Sequence, residues 1–348
     1  MPPKLDLDWK EYGPFSFAVS YGQKAYNTWV SDTVQLAAAV LGTAVVFSLL
    51  ASMVLSCAAY IRPAKLQVYC HSETGSWALV TGASDGIGRA FVDELLERGF
   101  NVLLHGRNQE KLERIMKELA QQHPKRSIDF VVADASRPDH PEDIVAAKVK
   151  QLPGKLTILV NNVGGITSKP QYVTIDKVAA EHIDAQLNIN ARFPTQLIRA
   201  LLPTLQESQP SIILNCGSAG ALVGIPYIAT YTATKAYVHT LTMALKAEML
   251  AEGLAPDKKF TKGVEVQCYI IGNTLSAQNT TDIPYLTQDA RACARGCLAK
   301  VGSGKTLEYP SWRVAVSSGF MKILPEGLLM KAMVGQMRER KAESEKEE

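Results

Sequence analysis

Four residues in this sequence have the types and order needed for chemistry: Asn190, Ser218, Tyr231 and Lys235. Tyr231 and Lys235 stand four apart at the start of a helical pattern (Val238, Leu241, Leu245, Met249), so they share a face one turn apart. A free tyrosine, with a pKa of about 10, is a poor proton donor near neutrality, and a neighbouring ammonium brings that value down. Paired in this way, Tyr231 can protonate a carbonyl oxygen as hydride arrives at its carbon, while Lys235 can also reach a cofactor ribose. Ser218 sits in Gly217-Ser218-Ala219-Gly220 after an apolar run, where its hydroxyl can polarise the same carbonyl. Asn190, in a helical stretch, can hold a water that connects Lys235 to solvent. A Tyr-x-x-x-Lys pair occurs often by chance, and the loop upstream of it is what gives it weight.

That loop is Thr81-Gly-Ala-Ser-Asp-Gly-Ile-Gly88, between a strand-like run and a helical one. Its spacing is G-x-x-x-G-x-G rather than G-x-G-x-x-G. Glycines here let the backbone turn tightly and approach a pyrophosphate lying on the positive end of the helix. Gly82, Ser84, Asp85, Gly86, Ile87 and Gly88 are therefore the expected cofactor contacts. Some twenty residues on, a free ribose 2'-hydroxyl calls for Asp or Glu, but the chain offers His105, Gly106 and Arg107. A guanidinium there suits a 2'-phosphate, and Arg89 can add a second positive charge, which favours NADPH; an ordinary surface role stays open for both. Asp134 can accept from the adenine amino group or simply start a turn. Asn161-Asn162-Val163-Gly164 reads as amides tying neighbouring loops beside the cofactor.

These positions require alternating apolar strands and amphipathic helices, and the sequence supplies them. Strands are expected at Trp77 to Thr81, Phe100 to Leu104, Ile128 to Ala133, Leu156 to Val160, Ile212 to Leu214 and Val264 to Ile271. Between them, Phe91 and Leu95 face inward on a helix ended by Gly99, and Asn108 caps another whose Leu112, Ile115 and Leu119 share a face. The pattern predicts an α/β, Rossmann-type doubly wound parallel sheet in one catalytic domain, residues 76–310.

Hydrophobic residues make up 47% of the 348, enough for an ample core, and a net charge of +3 without a basic aromatic stripe argues against nucleic acid. Six cysteines form neither a C-x-x-C pair nor a disulfide framework, so a reducing compartment is the simpler reading. Thr33 to Ile61 holds no charge and exceeds the roughly 20 apolar residues a bilayer span needs. Trp29 and Tyr60 stand where interfacial aromatics anchor a span. A cleaved leader is the competing reading, but Asp6, Asp8, Glu11 and Asp32 precede the run, unlike a short basic leader. Residues 1–32 are thus an N-terminal segment and 33–61 a membrane anchor; Arg62 and Lys65 against Lys24 put the downstream domain on the cytosolic side. Residues 311–348 read as an amphipathic segment, interfacial or packed, with a solvated charged tail.

From Ser76 to about Ile271 the chain resembles the short-chain dehydrogenase/reductase superfamily, on the Thr81 to Gly88 loop, Asn161 to Gly164 and the full tetrad. The resemblance implies Tyr231 as the acid in reduction, Ser218 orienting substrate, Lys235 on ribose and tyrosine, and Asn190 in a proton relay. It also implies a nicotinamide contact at Thr274, although Ile271-Gly272-Asn273-Thr274 stands where most members have Pro-Gly. More narrowly, the chain is similar to membrane-anchored 3-oxoacyl-CoA reductases and related 17β-hydroxysteroid dehydrogenases. The shared features are the N-terminal apolar segment, Val163 in Asn-Asn-Val-Gly, and the stretch Leu103 to Lys111. Gly217 to Val223 and Ile228 to Lys235 are especially similar to fungal members. That likeness implies NADPH-driven reduction of a long acyl-CoA at C3 on the cytosolic face of the endoplasmic reticulum membrane, within fatty-acid elongation and alongside other elongation enzymes. A steroid or secondary-metabolite ketone is the alternative substrate, and a catalytically silent scaffold the alternative role. The sequon Asn279-Thr280-Thr281 reads as incidental.

Overall fold

The sheet of this protein is wholly parallel, because each strand is followed by a helix that must cross over one face before the next strand can pair. The computed structural model describes residues 13–61, 64–72, 75–168, 170–276 and 279–347. Among the described residues seven strands are formed: β1 (Ser76–Thr81), β2 (Asn101–Gly106), β3 (Ile128–Val132), β4 (Lys155–Asn161), β5 (Ser211–Cys216), β6 (Val264–Tyr269) and β7 (Leu307–Glu308). Their order is β3-β2-β1-β4-β5-β6-β7. The chain runs outward from β1 to β3, then returns to β4 on the other side of β1, and this reversal opens a crevice at the carboxyl ends of β1 and β4.

Alternate strand residues feed two cores. Ala78, Val80, Val102, Leu104, Ile158 and Val160 pack against α2 (Gly86–Glu97), α3 (Gln109–Gln122) and α8 (Ala290–Leu298). Trp77, Leu79, Leu103, Leu159, Ile213 and Val266 pack on the opposite side against α4 (Pro141–Val149), α6 (Phe193–Glu207) and α7 (Ala229–Ala251). Both faces being covered is why these strands read as continuous apolar runs rather than alternating ones. Asn108 caps α3 as expected, its side chain accepting from the Lys111 N–H at 2.8 Å.

β7 was not foreseen: two residues carry no periodic pattern, and only the bonds Cys268 N–H to Thr306 O and Ile270 N–H to Glu308 O make them a strand. Leu66 and Tyr69, ahead of the first strand, are also core residues. The Tyr69 hydroxyl donates to the buried Glu265, whose other oxygen accepts from Gln267 and the Gly302 N–H. Glu94, 1% exposed on α2, binds α2 to α8: burial opposes its ionisation, but hydrogen bonds from Arg291, Arg98 and Arg295 outweigh it and hold its pKa at about 2.

α1 (Gly13–Ile61) forms a unit apart from residues 62–348. It contains the apolar segment expected at 33–61 and extends upstream of it, and Ser20–Ser48 is long and apolar enough to cross a membrane. The acidic Asp6, Asp8 and Glu11, and Arg62, lie outside the described residues, as does the Tyr60 side chain. The remaining elements are α5 (Ala180–Leu187), α9 (Trp312–Ile323) and α10 (Glu326–Glu347).

Candidate active site

Beyond Thr81 the chain turns through Gly82, whose φ of 64° is the left-handed region that favours glycine, and enters α2 at Gly86. A Cβ on Gly88 would lie 2.1 Å from the Gly82 oxygen and 2.5 Å from Asn162 Nδ2, so this loop closes on its own backbone. Ser84, partly exposed, and Ile87 complete it. A cradle lined by backbone at a helix N-terminus fits a dinucleotide pyrophosphate. Asp85 caps the helix, accepting from the Gly86 N–H at 2.7 Å. It also takes a hydrogen bond from Lys111 at 2.9 Å, which holds its carboxyl below the usual range. Asn162 fastens the β4 end to this loop: its backbone N–H donates to Thr81 Oγ1 and its side chain to Thr81 O, both at 2.9 Å.

Arg107 is exposed just beyond β2, after His105 and Gly106, with no carboxylate at the strand end. His105 itself is 1% exposed and stacked on Phe193, and burial pushes its pKa down to about 4. Asp134 Oδ1 accepts from the Ser136 N–H at 3.0 Å and the Ser136 hydroxyl at 2.8 Å, which is the turn-starting geometry. Arg89, read as a possible second positive charge, is ion-paired to Asp93 at 3.0 Å and to Glu118 at 2.9 Å.

The tetrad is assembled by α7, by the loop that follows β5, and by the turn between α5 and α6. Lys235, 7% exposed, donates from Nζ to the Cys216 carbonyl at 2.9 Å and lies 6.0 Å from the centre of the Tyr231 ring. Asn190 sits in a π-turn (Asn188–Arg192), an irregularity frequent at functional sites, rather than in the plain helix expected. Its side chain grips Gly165 from both sides, accepting from that N–H at 3.0 Å and donating to that carbonyl at 2.9 Å. Gly164 is wedged between Asn190 and Lys235, where a Cβ would come within 2.5 Å of Asn190 Oδ1 and 3.1 Å of Lys235 Nζ. Ser218 leaves β5 in extended conformation, its Oγ accepting from the Gly220 N–H at 3.1 Å.

Beside Tyr231 lies a cleft lined by Ile166, Val173, Ile175, Val178, Ile183 and Ile228, with Thr167, His182 and Gln186 as polar neighbours. α9 packs Val314 onto Gly272, so closely that a Cβ there would meet Val314 at 2.5 Å. The opposite side of α9 exposes Trp312, Val316, Phe320 and Ile323. Just ahead of the charged tail Met337 is 3% exposed, and within the tail Lys341 stands 5.3 Å from the ring of Tyr227, a cleft residue with φ of 67°.

Residues 76–280 match the short chain dehydrogenase family. The chain belongs to this family. It is 30% identical over 290 residues to the very-long-chain 3-oxoacyl-CoA reductase of Aspergillus terreus, covering 78% of each chain. It is 35% identical over 180 residues to the enzyme of that name from Anas platyrhynchos, a match covering 52% of this chain and 57% of that one. The putative steroid dehydrogenase 1 of Caenorhabditis elegans is 30% identical, with 78% of this chain and 83% of that protein covered. Among solved structures, a short-chain dehydrogenase from Sphingobium yanoikuyae in complex with NADPH shares the fold, with a TM-score of 0.58 at 22% identity over 72% of this chain and 97% of its own.

This short-chain dehydrogenase is thus a nicotinamide-dependent carbonyl reductase. Thr274 is buried and bonded within its own segment, donating to Gly272 O and accepting from Gln288, each at 3.2 Å. Ser276, which sequence reasoning passed over, lies closer to the cradle: a Cβ on Gly86 would be 3.0 Å from the Ser276 Cβ. A second hydroxyl two residues past Thr274 was the available signal. Asn279 Nδ2 donates to Asn273 Oδ1 and Thr274 O, both at 2.9 Å, so the sequon amide is used internally.

Proposed function

We propose that this enzyme uses NADPH to reduce the 3-oxo group of a long-chain acyl-CoA to the 3-hydroxy compound. The observation that carries this reading is the cleft beside Tyr231, where isoleucine and valine side chains set among Thr167, His182 and Gln186 offer apolar surface to an acyl chain next to the proton donor. With the pyrophosphate of the dinucleotide held in the Gly82 to Gly88 cradle, the bound cofactor would supply the hydride for the carbonyl carbon. Tyr231 then gives its phenolic proton to the carbonyl oxygen, Ser218 donates a hydrogen bond to that oxygen, and Lys235 stabilises the phenolate that remains. Asn190 acts through Gly165, shaping the passage by which Tyr231 is reprotonated. Gly82, Ser84, Gly86, Ile87, Gly88 and Asn162 hold the cofactor, with Asp85 fixing the helix start. Arg107 meets its 2'-phosphate, Asp134 and Thr274 meet its two ends, and the relative crystallised with NADPH supports that choice.

α1 is read as a membrane anchor, with the catalytic unit cytosolic at the endoplasmic reticulum beside other elongation enzymes. The apolar stretch Ser20–Ser48 and the exposed stripe Trp312, Val316, Phe320 and Ile323 support a membrane setting. The second reading, a steroid or secondary-metabolite ketone, is favoured by the relative named as a steroid dehydrogenase. Purified enzyme is given NADPH with a long-chain 3-oxoacyl-CoA or with a steroid ketone. Turnover of the first supports the proposal; turnover of the steroid alone would overturn it.

A further inference from the structure

The face of α7 that carries Tyr231 and Lys235 continues to His239, one turn further on and 5% exposed. The reduction steps above leave this side chain without a task. Its surroundings are the end of β5, where Cys216, Gly217 and Ser218 lead from the sheet into the site. Lys235 donates to the Cys216 carbonyl at 2.9 Å, and His239 Nε2 accepts from the Ser218 N–H at 3.3 Å. Two side chains of one helix therefore grip the strand end on either side of Gly217. The imidazole lies against Gly217 so closely that a Cβ there would be 2.3 Å from His239 Nε2 and 2.7 Å from Cys268 Sγ. Gly217 is glycine because a ring and a thiol occupy the space a side chain would need.

We propose that His239 is a positioning residue for Ser218: as a neutral imidazole it accepts from the serine amide and sets the backbone from which the hydroxyl meets substrate. The proposal rests on the carbonyl-reductase role given to Ser218. Accepting at Nε2 requires a lone pair there, so the ring proton belongs on Nδ1, the tautomer less common in water. Lys235 on α7 acts on the ring by its charge and Cys268 on β6 shares the space about Gly217 with it, while Cys216 on β5 precedes that glycine, and burial keeps both thiols protonated. No described carboxylate bonds to the imidazole to stabilise its cation. Burial, then the Lys235 charge, pushes its pKa down to about 4, so the accepting form prevails at neutral pH.

Two measurements on the full chain in detergent test this. His239→Leu fills the space without an acceptor, whereas His239→Gln offers a carbonyl oxygen at similar reach. With NADPH and whichever ketone the wild type reduces, the Leu variant should lose kcat by about 10- to 100-fold, as expected for a displaced reacting group. Its NADPH affinity should stay within about twofold, and Gln should restore most of kcat. Equal losses in both variants with NADPH binding intact, or full activity in the Leu variant, would overturn the assignment. The second measurement does not depend on turnover, so it stands even if no ketone tested is a substrate. Nitrogen-15 labelling of the six histidines, with the His239 signal identified by its loss in the Gln variant, reads the tautomer directly. An Nδ1–H imidazole supports the proposal, and an Nε2–H imidazole excludes it.

Discussion

Lowering the pH from 7.5 to 5.0 should destabilise this protein through His105 in a way that a single substitution removes. His105 is 1% exposed against Phe193, and its pKa falls from an ordinary 6.5 to about 4 because burial disfavours the cation. The unfolded chain takes up this proton below about pH 6.5, whereas the folded protein refuses it until about pH 4, so stability is lost as pH falls through that window. The full shift corresponds to roughly 3.4 kcal/mol at 1.36 kcal/mol per pH unit. Between pH 7.5 and 5.0 the share realised is about 2 kcal/mol. His239 adds a loss of the same sign, since its pKa is also about 4. Urea unfolding followed by tryptophan fluorescence, to which the buried Trp77 contributes, should show the wild type losing about 4 kcal/mol from these two groups. His105→Leu should lose about half as much, whatever its stability at pH 7.5. The buried Glu265, whose raised pKa acts in the opposite sense, is common to both proteins and cancels in the comparison. Equal acid losses in the two proteins, within about 0.5 kcal/mol, would refute the argument.

Other expectations concern the cofactor and the proton. Tyr231→Phe should lower kcat by about 100- to 10,000-fold with NADPH affinity unchanged by fluorescence titration; unchanged turnover would exclude Tyr231 as the acid. Arg107→Asp should reduce the preference for NADPH over NADH by about 10- to 100-fold, the worth of a charge-assisted hydrogen bond, and a constant ratio of kcat/KM values would remove Arg107 from the 2'-phosphate. Gly88→Ala places a Cβ 2.1 Å from backbone and should abolish NADPH binding or folding, while Gly224→Ala, with nothing within 4 Å, should be silent in the same assay.

Much of the site was legible because its signals are local. The Gly82 to Gly88 spacing, the Asn108 cap and the four-residue step from Tyr231 to Lys235 are each set by a turn of backbone, whatever the rest of the chain does. Strand positions were legible for a related reason: burial on both faces leaves a continuous apolar run. Arg89 shows where such reading stops. One turn separates it from Asp93, but Glu118 reaches it from α3 only once α2 and α3 lie side by side on one face of the sheet.

The fold class, the order of the chemical groups and the absence of a carboxylate after β2 follow from residue types and spacing alone, since each depends on a few consecutive residues. The π-turn that aims Asn190 at Gly165, the clamp of His239 and Lys235 on the end of β5, and Lys341 over Tyr227 were decided only when the chain closed on itself. Those contacts join groups far apart in sequence, and a hydrogen bond or a charge over a ring depends on distance and direction in space, which no local pattern encodes.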